Sequence, residues 1–149
     1  MSTRKSVYQI IEADGKFSIL LGILNQTPLG RVIQQDENPL TFFAPTDGAF
    51  YRMLQKKPHS PAFDAGKILI GEILGQHIIP GIALYTKDLR RRHSVTNLEG
   101  KILTIRHDDH RVFVGHAQIL TPAATAQNGV VFAIDKVLLN QNIKQISSV

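Results

Sequence analysis

The ten residues Thr41-Phe42-Phe43-Ala44-Pro45-Thr46-Asp47-Gly48-Ala49-Phe50 constrain the fold more than any other stretch of the chain. Thr41, Phe42 and Phe43 are residue types that suit a pleated, buried surface. Pro45 has no N–H to give to a ladder and holds the residue before it extended, so a strand should end there. Thr46 or Asp47 can accept hydrogen bonds from the free N–H groups of a new helix, and the Asp charge suits that end of the helix dipole. Phe50, Met53 and Leu54 follow at helical spacing and give the helix an apolar stripe. The segment predicts a strand-to-helix junction at the centre of a fold. It specifies architecture, not chemistry.

The elements before it read as helices. Ser6-Val7-Tyr8-Gln9 has the form of a capping box, and Val7, Ile10 and Ile11 supply a stripe that Gly15 would stop. Phe17, Leu20, Leu21 and Leu24 form a second stripe, widened by Ile19 and Ile23, so that helix should be largely buried. Thr27-Pro28-Leu29-Gly30 breaks it, and Leu29, Val32 and Ile33 allow a further turn or two. After the junction, Lys56-Lys57-Pro58-His59-Ser60-Pro61 reads as a surface loop, and Asp64 could cap a helix bearing Ile68, Leu69, Ile70, Ile73 and Leu74. Gly71 and Gly75 in that helix imply close contact with a neighbouring element, since each costs about 1 kcal/mol relative to Ala.

The rest reads as strands. Ser94–Leu98 and Lys101–Arg106 flank Glu99-Gly100, which predicts a two-residue hairpin turn. Asp108-Asp109 turns into Val112-Phe113-Val114, and Ile119-Leu120 forms a short strand. Asn128-Gly129 is the strongest turn signal and opens Val130–Ile134, ended by Asp135. Helices first and hairpins later define an α+β domain. With 149 residues, the chain suits one domain that buries roughly two-thirds of its unfolded surface.

Composition removes several classes of function. The chain has no cysteine, hence no disulfide and no thiolate chemistry. No stretch approaches the ~20 apolar residues of a membrane span. Ser6, Gln9, Glu12 and Asp14 interrupt the segment after Met1, which does not read as a secretory signal. The net charge of +5 is uneven: residues 1–75 carry 8 Lys/Arg against 7 Asp/Glu, and residues 76–149 carry 9 against 5. Lys87, Arg90, Arg91 and Arg92 make the densest cluster, with Tyr85 and His93 beside it. It could meet an anionic polysaccharide or an acidic protein, or be a solvated loop.

Candidate catalytic chemistry is sparse. His107, Asp108, Asp109, His110 and His116 fall within ten residues and are good ligand types for a borderline cation. Asp at a tight turn is the ordinary turn-former, however, and His116 would lie roughly 20 Å from His110 along the next strand. A small-ligand or metal site at the His107/Asp109/His110 turn is thus the alternative reading, and no cofactor is expected. There is no Gly-x-Ser-x-Gly elbow, no phosphate-cradling loop and no dinucleotide fingerprint. The sequence argues against an enzyme. Nucleic acid is also disfavoured as a partner, because Phe17, Phe42, Phe43, Phe50, Phe113 and Phe132 all read as core, leaving only Tyr51 and Tyr85 to stack.

The junction resembles the first signature motif of the fasciclin domain family. Asn128-Gly129-Val130-Val131-Phe132-Ala133-Ile134-Asp135-Lys136-Val137-Leu138-Leu139 is similar to the second motif. Between them, Gly75-Gln76-His77-Ile78-Ile79-Pro80-Gly81 looks like the family's middle motif, and Asn97–Ile105 like its usual hairpin. The resemblance implies a wedge of two β-sheets with several helices packed around it, and the two signature segments adjacent in one core. It implies a non-enzymatic adhesion or interaction module, usually secreted or at the cell surface, a monomer or weak homo-oligomer that binds through its surface. The residues expected to hold that core are Thr41, Phe43, Ala44, Pro45, Thr46, Asp47, Phe50, His77, Pro80, Gly81, Asn128, Gly129, Val130, Ile134 and Asp135. His77 would be a buried strut reaching toward Thr46-Asp47. Three departures stand out: Gln76 replaces the family's usual tyrosine, Phe132 stands where histidine is common, and Ala123-Ala124 replaces the Asp-Ile pair of integrin-binding members.

Overall fold

The computed structural model describes residues 5–35, 38–54, 74–120 and 123–138. Helix α1 (Val7–Ala13) opens on the expected capping box: Ser6 Oγ accepts the Gln9 N–H at 3.1 Å, and the Gln9 side chain accepts the Ser6 N–H at 2.9 Å. A 3-10 turn at Gly15–Phe17 leads into α2 (Ser18–Leu24), and α3 (Pro28–Gln35) starts on a proline whose missing N–H costs nothing there. Strand β1 (Leu40–Pro45) then gives way to α4 (Asp47–Leu54). The loop expected at 56–61, the helix expected from Asp64, and Gly71 lie outside the described residues.

After a 3-10 turn at Leu74–His77 come β2 (Ile78–Pro80), α5 (Thr86–Arg90), β3 (Ser94–Thr96), β4 (Ile102–His107), β5 (Val112–Val114), β6 (Ala117–Gln118), β7 (Ala124–Ala126) and β8 (Gly129–Ile134). Among the described residues the strands form two four-stranded sheets, in the orders β2-β1-β8-β7 and β3-β4-β5-β6. The two signature segments are the central pair of the first sheet. They run parallel in one register from Leu40↔Gly129 to Pro45↔Ile134. Every residue of both strands is buried, as expected of strands covered on both faces.

The period of two along a strand sorts their side chains into two cores. Phe42, Ala44, Val131 and Ala133 pack with Val7, Ile11, Leu20, Leu24 and Phe50 of the helices. Phe43, Val130, Phe132 and Ile134 pack with Val95, Ile105, Val112 and Val114 of the second sheet. The first sheet is therefore a middle layer, with helices on one side and the second sheet on the other. Phe132, in place of the family's frequent histidine, stacks on Phe43 with ring centroids 5.7 Å apart. At the start of β8 a Cβ on Gly129 would stand 2.1 Å from the Leu40 carbonyl oxygen, so only glycine lets the two backbones meet there.

Several turns differ from their expected form. The β7–β8 hairpin closes on Gln127-Asn128 rather than Asn128-Gly129, because Ala126 pairs with Gly129. This frees the Asn128 side chain for the helices: its Oδ1 accepts the Val7 N–H at 2.8 Å and its Nδ2 donates to the Ile33 carbonyl at 2.9 Å. The β3–β4 hairpin has a five-residue loop instead of a two-residue one. Its organiser is buried Asn97, whose Oδ1 accepts the N–H groups of Glu99 and Lys101, both at 3.0 Å. Gly100, at φ 78°, still supplies the left-handed position. Gly75 lies in the 3-10 turn, not in a helix, and its close neighbour is the Glu99 side chain. The strand placed at Ile119-Leu120 is Ala117–Gln118, and Ile119 instead bridges to Ile134.

Candidate functional site: a basic face built on the second sheet

Helix α5 carries the cationic cluster, and the first signature motif holds it in place. Thr41 is fully buried in β1, yet its hydroxyl donates to the Ile82 carbonyl at 2.9 Å and accepts the Leu84 N–H at 2.8 Å. Both partners lie in the segment that leads to α5. Leu84 and Leu89 then enter the second core. The Asp88 carboxylate accepts the Tyr85 N–H at 2.9 Å and closes the first turn. A five-residue helix has little stability of its own, so these anchors fix where its charges point.

Tyr85, Lys87, Arg91, Arg92 and His93 are exposed, and Arg90 is half-buried. The sequence reading treats 87–93 as a loop; the chain instead forms α5 followed by a turn. Lys87, Arg91 and Arg92 form no ion pair among the described residues. A cleft of about 260 Å³ lies beside them, lined by Ile82, Ala83, Leu84, Asp88, Arg91 and Arg92. Its lining sets the cations Arg91 and Arg92 beside the apolar Ile82, Ala83 and Leu84, with the Asp88 carboxylate, which accepts the Tyr85 N–H, also on its wall.

Arg90 points the other way. Its Nη1 donates to the Asp108 carbonyl at 3.3 Å, joining α5 to the β4–β5 turn. Asp108 organises that turn: Oδ1 accepts the N–H groups of His110 and Arg111 at 3.0 and 2.8 Å, while Oδ2 takes Arg111 Nε at 2.9 Å and Nη2 at 2.7 Å. These bonds, the Arg111 side chain first among them, hold the Asp108 carboxyl down at about 2. His107, Asp109 and His110 are all exposed around the turn. Among the described residues no three His, Asp or Glu side chains are grouped so as to hold a metal ion.

Phe113 corrects the sequence reading. It is half-buried rather than a core residue, and guanidinium carbons of Arg106 and Arg111 lie 5.1 and 5.4 Å from its ring centroid. Arg106 faces Phe113 across the β4–β5 ladder. The signal was present in the sequence: Val112 and Val114 point inward, so period two sends Phe113 outward. Arg106 and Arg111 were likewise missed, because they are isolated in sequence and become neighbours only through the hairpin.

The motif side chains make the following contacts. His77 is completely buried, and its Nε2 accepts the Leu138 N–H at 2.9 Å, just beyond β8. Of the two cap candidates, Thr46 is the one that accepts from the helix, its Oγ1 taking the Ala49 N–H, while the Asp47 carboxylate accepts the Ile19 N–H of α2 at 2.8 Å. Asp135, which follows β8, accepts the Gln118 N–H at 2.8 Å. Pro80 pairs with Leu40 at the end of β2, and Gly81 turns at φ 81°.

This arrangement is the fold of the fasciclin domain. The fasciclin domain profile matches residues 15–140, and the chain belongs to that family, which is known for adhesion and interaction modules. A FAS1 domain pair from the insect cell adhesion molecule Fasciclin I superposes with a TM-score of 0.77 at 17% identity, covering 93% of this chain and 52% of that one. Protein sll1483 of Synechocystis sp. is 28% identical over 134 residues, which is 90% of this chain and 73% of that protein. Stabilin-2 of Rattus norvegicus is 28% identical over 106 residues, 70% of this chain and 7% of that protein. Among the described residues no helix is long and apolar enough to cross a membrane.

Proposed function

We propose that this chain is a non-enzymatic interaction module that holds an acidic partner, protein or polysaccharide, against α5 and the turn that follows it. The observation that carries the reading is the pair Arg91 and Arg92, cations with no ion-pair partner among the described residues that line a cleft beside a helix pinned to the core, with exposed Lys87 on the same helix. Cations left uncompensated on a fixed element attract anions at little ordering cost. The likeness to a domain pair from an insect cell adhesion molecule supports adhesion as the setting. Among the described residues, His77, Asp135 and Asp47 each accept a backbone N–H.

Changing Arg90, Arg91 and Arg92 together to Glu tests the proposal. Retention of the native protein on an immobilised acidic polysaccharide should weaken steeply between low and physiological salt. The triple variant should show none while keeping a single cooperative melting transition. Equal retention of both proteins would contradict the assignment.

A further inference from the structure

Resting on that reading, we infer that the basic site does not end at α5 but continues across the outer face of the second sheet, and that the surface so formed fits a linear acidic polysaccharide of uronate type. The contacts are continuous. Arg90 touches the Asp108 carbonyl, Asp108 holds Arg111, and Arg111 and Arg106 lie over Phe113. Register puts Ser94 beside Thr104 and Gln118 beside Phe113 on the same face as Arg106. A strip of guanidinium, hydroxyl and amide groups therefore leads away from the cleft.

Its chemistry separates the possible partners. A protein interface needs an apolar, charge-poor centre, whereas the one strongly exposed apolar residue on this face is Ile102, at 72%. A single-stranded nucleic acid needs bare rings for its bases to stack on, and here two guanidiniums lie over Phe113. A uronate chain needs a carboxylate-binding fork and hydrogen-bond partners for hydroxyls; on the sheet Arg106 supplies the fork, since Arg111 Nε and Nη2 are held by Asp108. Arg106 is ordered by the Phe113 ring and by its 3.3 Å bond to the Gly115 carbonyl, so little freedom remains to be lost on binding. Asp108 lies on the path, but its carboxylate is occupied by Arg111 and two backbone N–H groups.

Two limbs on one polymer imply avidity, which a length series reads directly. Oligogalacturonates of about 2 and about 10 sugars are titrated into the native protein, R106Q, F113L and the R90E/R91E/R92E variant. The long chain should bind the native protein at least tenfold more tightly than the short one. R106Q and F113L should each lose about three- to tenfold for the long chain and nothing for the short one. The triple variant should lose both. If R106Q and F113L match the native protein at both lengths, the extension is wrong while the α5 site stands. If the triple variant also matches it, the α5 reading fails as well. Tighter binding of a single-stranded DNA of equal charge, dependent on Phe113, would overturn the assignment to a polysaccharide.

Discussion

Removing the completely buried His77 imidazole would leave the Leu138 N–H without its acceptor and open a hole in the interior. Together these cost about 2–4 kcal/mol, a fall of roughly 5–10 °C in melting temperature for a chain of this size. His77→Ala should therefore melt earlier and bind acidic polysaccharide as the native protein does. Equal melting curves would contradict the strut. Asp108 offers a second test. Its carboxyl is held at about 2 against an ordinary 3.8, so its contribution to stability is complete above pH 3.8 and is lost as pH falls toward 2. NMR titration of the Asp108 carboxyl should give a midpoint near that lowered value, and in Arg111→Gln the midpoint should move up toward 3.8. At this scale the sequence shows which residues matter more readily than which partner they choose. Burial of His77 was legible from its apolar neighbours, but its acceptor role toward Leu138 depends on how two distant segments meet.

At the scale of elements, β1 and α5 are coupled through one hydroxyl. Thr41→Val keeps the shape and burial of the side chain but leaves the Leu84 N–H without its acceptor and the Ile82 carbonyl without its donor. We expect a loss of about 1–3 kcal/mol, together with weaker polysaccharide binding because α5 is no longer held. If stability falls and affinity does not, Thr41 serves the core alone. Strands and helices with a strong period were legible: the capping box at Ser6, the helix stripes, and β1 and β8 all appear near their expected places. Turns were less so. The Asn128-Gly129 pair looked like a hairpin turn, yet Gly129 is needed in the strand where the Leu40 backbone passes close, and Asn128 is needed by α1 and α3. Local turn preference gave way to long-range contacts.

Across the whole molecule, a central parallel pair separates two jobs. Its helix-facing side chains close the main core, and its other side supports a second sheet whose outer face carries arginines. The α+β class was readable from the order of helices and hairpins, whereas the two sheets and the adjacency of the two motifs came from the resemblance of those motifs to the fasciclin family. The basic face was only half readable. Lys87–Arg92 is dense in sequence, whereas Arg106, Arg111 and Phe113 are brought together by strand pairing. Residue-resolved amide hydrogen exchange tests the central pairing most directly. The account predicts that the amides of Thr41–Ala44 and Val130–Ala133 are among the slowest to exchange and open together, at a single free energy equal to that of global unfolding. Fast exchange in either strand, or opening of one while the other stays protected, would contradict it.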